Sequence, residues 1–440
     1  MEVIKKTMLT YVSSTGNGIG GNNGNNNKFY YLELRKNDDV YIEYGRIGNS
    51  KQTKLKPRVG EREYNKILKS KLKKEYKVSE IDLESNSGEL TTNSNLSVTD
   101  IALKQITIKD DVSKNFIKFI IQQNIHNITS NTKIKFDHKT GLFTTPLGVV
   151  KKHGIEKAKK SLDSIFSIID GIDDVNKLTK SKKDKFIKFN EEYFSIIPTL
   201  LSNLRNINTL LINQDKLTEQ YDICDTLLTT IDIIEKEKDK TINKTIEKGP
   251  KLFDTEIGVL KDTKKYKEIE KYFNNSKNNG HGRYINNAKI TNIFKVKLNN
   301  EDENFKKDLG NVMELWHGTK VANLLSILKS GLLMPNQSPG QMTGYMFGKG
   351  LYFSDQSTKS LNYCDGMYWN NSSKQPKIYM FLASIAMGNY EVPNSYRNSS
   401  PTKGYDSYWA KPAKSGIQNN EMIVFKKNQI RLDYILEIKV

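Results

Sequence analysis

Cysteine is almost absent from the 440 residues: Cys224 and Cys364 are the only two. Two thiols cannot supply a disulfide framework or a cysteine-based zinc site, and a reducing compartment fits. Long apolar runs are missing too. No stretch approaches the roughly 18–20 apolar residues of a membrane helix. The opening MEVIKKTMLTYV has neither a long apolar core nor a small-residue cleavage site, so secretion is not expected. Acidic charge is in short supply: 50 Asp and Glu stand against 69 Lys and Arg, giving a net +19 and a pI near 9.4. That excess suits a polyanionic partner, most simply nucleic acid, or a Lys-rich and Asn-rich coding bias that only dresses the surface. A composition of 36% hydrophobic and 27% charged residues, with mean hydropathy −0.62, excludes a fully disordered chain. The length suits roughly three domains of about 150 residues each.

The text changes character along the chain. Residues 1–83 are mixed: Lys28–Lys36 (KFYYLELRK) and Asp39–Ile47 (DVYIEYGRI) are aromatic and β-branched with partial alternation, which predicts strands. Glu61–Tyr76 repeats Tyr64, Ile67, Leu68 and Leu72 at helical spacing. Residues 84–107, opening on Ser, Asn and Thr with little periodicity, read as a linker. Residues 108–247 carry apolar residues three and four apart in Asp111–Gln123, Gly154–Ile169, Lys182–Phe194 and Gln214–Lys236, interrupted at Thr145–Gly148 and stopped at Pro198. By pattern this is an all-α bundle. Residues 250–440 turn to Gly, Tyr and Trp, with strand signals at Lys377–Ser384 and Glu421–Phe425, and read as an α+β domain.

Two phosphate-loop patterns fail on context. Gly16-Asn17-Gly18-Ile19-Gly20-Gly21 satisfies GxGxxG, but a dinucleotide turn must open a helix, and Asn-rich text follows it. A flexible hairpin loop is the better account. Gly348-Lys349 ends like a P-loop, but Thr343 occupies the first Gly position and Gly350 the magnesium-binding Ser/Thr, which excludes an ATPase of that type.

The chemistry-bearing residues come later. Leu315-Trp316-His317-Gly318-Thr319 precedes Gly344-Tyr345-Met346-Phe347-Gly348-Lys349-Gly350-Leu351-Tyr352-Phe353-Ser354-Asp355, then Lys359, Ser360 and Tyr363, and finally Asn420-Glu421 at a strand start. In order and spacing this resembles the ADP-ribosyltransferase domain of the poly(ADP-ribose) polymerase family. The family's His-Tyr-Glu triad falls on His317, Tyr352 and Glu421. Tyr41-Ile42-Glu43-Tyr44-Gly45-Arg46-Ile47-Gly48 resembles its Trp-Gly-Arg (WGR) domain, and Thr145-Pro146-Leu147-Gly148 with Tyr193–Pro198 resembles its regulatory helical domain. The closing Arg431–Glu437 looks most like the short, DNA-break-dependent members. The resemblance implies a multidomain protein: a small α+β WGR-like domain, an all-α helical regulatory domain and an α+β ADP-ribosyltransferase domain. It implies NAD+ as substrate, no catalytic metal, DNA strand breaks as activating partner, acceptor proteins including the chain itself, no membrane, and a nuclear location (cytoplasmic if the Asn/Lys/Ile-rich text belongs to a virus or protist).

Breaking the nicotinamide–ribose bond develops oxocarbenium character on the ribose. A carboxylate near the 2′-hydroxyl stabilises that charge and positions the acceptor, the role the resemblance gives Glu421, with Lys359 beside it. It gives His317 the adenosine-side ribose, Gly318 and Ser360 the carboxamide, Tyr352 and Tyr363 the nicotinamide faces, and places Thr319 and Ser326 in the NAD+ site. Thr319 replaces the usual Ser, Ser326 a common Gly, and Leu333 an Arg that contacts the adenosine side in relatives. The stretch between Lys403 and Asn420 is shorter than in polymer-forming relatives, which leaves a mono-ADP-ribosyltransferase open beside a polymerase. A catalytically silent nucleic-acid-binding module is the rival from another class. Tyr44 stands in place of the signature Trp, where a ring stacks on nucleic acid, and Arg46 keeps the signature Arg. Residues 51–77 add eleven Lys/Arg against three Glu, suited to phosphate.

Overall fold

In a computed structural model describing residues 2–13, 26–46, 51–79, 98–137, 142–145, 148–172, 174–198, 210–242, 252–278, 287–334, 346–364, 377–394 and 399–439, the alternating text near the start becomes a sheet. The strands are β1 (Val3–Ser13), β2 (Asn26–Arg35), β3 (Val40–Arg46), β4 (Lys51–Lys56) and, beyond helix α1 (Gly60–Leu72), β5 (Lys77–Val78). Their order is β4-β3-β2-β1-β5, all antiparallel. The period of two sends Leu32 and Leu34 inward with Leu9, Val40 and Ile42, and α1 covers them with Tyr64, Ile67 and Leu68. β4 is exposed along nearly its whole length, an edge strand whose lysines discourage further pairing. The GxGxxG stretch, Ile47-Gly48, Pro146-Leu147, Gly344-Tyr345, most of the expected linker and the side chain of Arg46 lie outside the described residues.

The expected linker needs a correction at its end. Residues 98–105 form helix α2 (Val98–Gln105) and Thr107–Ile108 form strand β6, because Val98, Ile101 and Ala102 bury one face at helical spacing. Helix α3 (Asp111–Asn131) follows. The all-α expectation for this stretch is corrected too: β7 (Lys135–Asp137), β8 (Leu142–Thr145) and β9 (Gly148–Val149) form a small antiparallel sheet where Thr145–Gly148 breaks the helical pattern. Then come α4 (Lys152–Ile169), α5 (Lys180–Ile196) and α6 (Gln214–Ile242). α4 buries Ile155, Ala158, Leu162, Ile165, Phe166 and Ile169, one continuous stripe. Burial pushes the Cys224 thiol on α6 up to about 12, so it stays protonated and unreactive.

The last third contains β10 (Thr255–Val259), α7 (Thr263–Asn275), β11 (Lys289–Leu298), α8 (Asn299–Asn304), β12 (Val312–Gly318), α9 (Leu324–Ser330), β13 (Leu351–Phe353), α10 (Ser357–Leu361), β14 (Ile378–Ala386), β15 (Tyr390–Glu391), β16 (Ser407–Ala410), α11 (Pro412–Ser415), β17 (Glu421–Val424) and β18 (Ile430–Lys439). A six-stranded sheet runs β12-β14-β18-β11-β10-β6 and a four-stranded sheet β13-β17-β16-β15. β14 is buried at every position, the mark of a strand covered on both faces. Among the described residues a single antiparallel bridge, Trp316 to Ser354, joins the two sheets.

Contacts divide the chain into two units, residues 1–97 with 125–234, and residues 98–124 with 235–440. In the second unit β6 pairs parallel with β10, and Asp110 welds the start of α3 to the sheet. Its carboxylate accepts the Ser113 N–H at 2.7 Å, the Ser113 hydroxyl at 3.0 Å and the Val259 N–H at 2.7 Å. Burial alone would raise Asp110, but these donors hold it below its ordinary value. Phe116 of α3 then stacks on Phe294 at 4.5 Å.

Candidate active site

The site is built where the two sheets of the second unit meet. β12 ends at Gly318, and Trp316 exchanges backbone hydrogen bonds with Ser354 at 2.8 and 3.1 Å. That fixes His317 beside the end of β13. The His317 Nδ1 lies 3.0 Å from the Tyr352 carbonyl oxygen. A carbonyl only accepts, so Nδ1 carries the proton and Nε2 of the neutral ring is left as an acceptor. Burial holds the imidazole below its ordinary 6.5, and the bond to the Tyr352 carbonyl only partly offsets this.

Tyr352 is held by its own loop. Its hydroxyl accepts the Phe347 N–H at 2.9 Å and donates to the Gly348 carbonyl at 2.9 Å. Gly348 permits that tight loop: its φ is +85°, and a Cβ there would stand 2.4 Å from the Ser399 carbonyl oxygen. Tyr352 pairs with Ile423 of β17, so the strand carrying Glu421 lies alongside.

Glu421, first residue of β17, forms an ion pair with Lys359 of α10. Their side chains are 12% and 16% exposed, so the pair sits largely out of water, where charges interact more strongly. Ser360 is buried and donates its hydroxyl to the Trp316 carbonyl at 3.1 Å. Gly318 has no room for a side chain: a Cβ would stand 1.8 Å from the Ser360 carbonyl oxygen. Helix α10 therefore lies flat against the end of β12. Tyr363, just past α10, is half exposed, and its N–H reaches the Ser360 carbonyl at 3.1 Å. Thr319 is buried, its hydroxyl accepting Asn323 at 3.4 Å, and Ser326 is half-buried on α9.

The structure thus gathers His317, Gly318, Tyr352, Lys359, Ser360 and Glu421. Tyr44 and Arg46 lie in the first unit on β3. Tyr44 stacks on Tyr30 at 5.6 Å, and the Lys71 ammonium sits 3.7 Å over the Tyr30 ring. Three neighbours escaped the sequence reading. Asp355 and Asn420 stand inside the motifs without a role, although each adjoins the chemistry: Asp355 follows the Tyr352 strand and Asn420 precedes Glu421. Asn278, three residues past α7, bonds Asn419 and Gln356 and has no sequence signal.

The chain is similar to known proteins over much of its length. A family model described as the poly(ADP-ribose) polymerase catalytic domain matches residues 263–416, and the WGR domain model matches residues 18–82. Poly(ADP-ribose) polymerase 1 of Gallus gallus is 27% identical over 372 residues, 77% of this chain and 35% of that protein. Its namesake in Arabidopsis thaliana is 24% identical across 94% of this chain and 45% of its own length. Poly(ADP-ribose) polymerase 2 of Homo sapiens is 30% identical across 40% of this chain and 34% of its own. The chain therefore spans less than half the length of each of these relatives.

Proposed function

Because the chain carries a WGR domain and a poly(ADP-ribose) polymerase catalytic domain with a helical region between them, we propose that it is an NAD+ ADP-ribosyltransferase, activated by DNA strand breaks. It builds poly(ADP-ribose) on acceptor proteins and on itself, in a nuclear DNA-damage response. The observation that carries this reading is the junction at which His317 bonds the Tyr352 backbone while the neighbouring strand presents Glu421 paired to Lys359.

In this reading the His317 Nε2 accepts a hydroxyl of the adenosine-side ribose, and the Gly318 backbone with the Ser360 hydroxyl binds the nicotinamide carboxamide. Tyr352 and Tyr363 face the ring. The C–N bond to ribose breaks, its electron pair leaves with nicotinamide, and an acceptor oxygen or nitrogen attacks the oxocarbenium carbon and sheds its proton. Glu421 faces the developing positive charge, and Lys359 holds its carboxylate in place. On the first unit, Tyr44, Arg46 and the basic residues 51–77 supply ring and phosphate contacts to a DNA end.

The test is incubation with labelled NAD+, with and without a nicked duplex, followed by gel electrophoresis. A DNA-dependent ladder of heavy product is expected. A single sharp shift would make the chain a mono-ADP-ribosyltransferase, and no label under either condition would leave a silent binding module. The pH profile offers a second check. His317 must be neutral to accept, and its pKa is lowered, so the activity it supports is complete above 6.5 and is lost only as pH falls through the lower folded value. The acid limb of kcat/KM assigned to His317 should lie below pH 6.5 and vanish in His317→Asn. A midpoint above 6.5 would overturn the neutral-acceptor role.

A further inference from the structure

The backbone ladder that aligns Glu421 is one-sided. On one edge Ala410 pairs with Glu421. On the other, the β13–β17 register runs Leu351–Val424, Tyr352–Ile423 and Phe353–Met422 and then stops. The next residue of that strand, Ser354, turns its backbone to Trp316 instead. Glu421 is thus left without strand pairing on the side that faces Tyr352, at the position where its carboxylate must be placed.

Side chains take over there. The Ser354 hydroxyl donates to the Asn420 carbonyl at 3.3 Å, and the Asn420 amide donates to Asp355 Oδ2 at 2.7 Å. Asn278 adds a brace from the segment after α7: its side-chain amide donates to Asn419 Oδ1 at 3.2 Å and Gln356 Oε1 at 3.3 Å, and its backbone N–H donates to the Thr358 hydroxyl at 2.9 Å. The second Asp355 oxygen, Oδ1, is buried and has no hydrogen-bond partner among the described residues. A carboxylate held in that condition costs stability, and a surface-stabilising role does not explain it.

The geometry points to Asn420 and Asp355 as a positioning pair: a side-chain clamp that substitutes for the missing ladder and fixes the backbone immediately before Glu421. Neither residue touches the reacting atoms. Both act through Glu421, so the inference rests on the ADP-ribosyltransferase reading. A misplacement of about 1 Å costs on the order of a hundredfold in rate, so loosening the clamp lowers kcat and leaves substrate binding, which depends on Gly318, Ser360 and the tyrosines, in place.

The experiment compares Asn420→Asp, which sets two carboxylates against each other, with the double variant Asn420→Asp/Asp355→Asn, which reverses the hydrogen bond and restores it. NAD+ turnover is read beside calorimetric binding of benzamide, a carboxamide probe that reports an intact pocket. The single variant is expected to lose roughly ten- to a hundredfold in kcat with KM and benzamide affinity within a few-fold of wild type, and the reversed pair to recover most of it. Wild-type kcat in Asn420→Asp overturns the clamp. So does a parallel loss of benzamide binding in the single variant, or a reversed pair that binds benzamide normally yet stays as slow as the single one. Wild-type protein that turns over no NAD+ under any condition would instead sink the functional reading on which the clamp rests.

Discussion

Glu421→Gln is expected to lower NAD+ turnover by about 10²- to 10³-fold, the roughly 2.7–4 kcal/mol typical of removing one preorganised electrostatic partner of a transition state. The amide keeps the volume and β17 pairing of Glu421 but not the charge proposed to face the oxocarbenium. Benzamide affinity should change little, because the carboxamide contacts assigned to Gly318 and Ser360 are untouched. A second effect follows from burial. Lys359 loses its counter-ion in a place that is largely out of water, and breaking a fully buried pair costs about 3–5 kcal/mol, an upper bound here. Thermal unfolding of Glu421→Gln and of Glu421→Gln/Lys359→Met separates the two contributions. The double variant should regain stability without regaining activity. A Glu421→Gln protein with wild-type turnover would remove Glu421 from the chemistry.

Gly318→Ala should be nearly as damaging, for a steric reason. The new methyl would stand 1.8 Å from the Ser360 carbonyl oxygen and 2.8 Å from its carbon, both backbone atoms that cannot rotate aside. Either β12 or α10 has to move, and α10 carries Lys359 and Ser360. Overpacking of this kind costs typically 1–3 kcal/mol of stability. The catalytic loss should be larger, on the order of a hundredfold in kcat/KM, because the displaced helix holds both Ser360, proposed to bind the carboxamide, and the partner of Glu421. Unlike Glu421→Gln, this variant should also lose benzamide affinity. Retention of wild-type affinity in calorimetry would show that α10 does not form the carboxamide pocket.

The motif runs were legible because they are short and local: Trp316 to Thr319, Phe347 to Asp355 and Asn420-Glu421 each sit on one strand end or tight turn. Helices such as α4 were legible through their apolar stripes. The misses share a cause. β4 (KQTKLK) is an exposed edge with no buried face, so no alternation marks it. α2 and β6 follow Ser/Asn/Thr text and gain their structure from partners far along the chain: Gln105 of α2 accepts the N–H of Leu252, 147 residues on, and β6 pairs with β10. The β7–β9 sheet is too short to leave a period. Asn278 meets Asn419 across 141 residues, and no local pattern encodes such a pairing.

The strand β6 has a practical consequence for anyone preparing a catalytic fragment. Cutting the chain at residue 250, where the composition changes, would strip β6 from β10 and leave a freshly opened strand edge facing solvent. It would also uncover the Phe294 ring that Phe116 covers and leave the Val259 N–H without its carboxylate. An open edge flanked by bare aromatic surface is a template for self-association. A soluble preparation of this fragment would have to retain residues 98–124, fused or supplied as a separate peptide, since they complete the six-stranded sheet whose strand β12 carries His317.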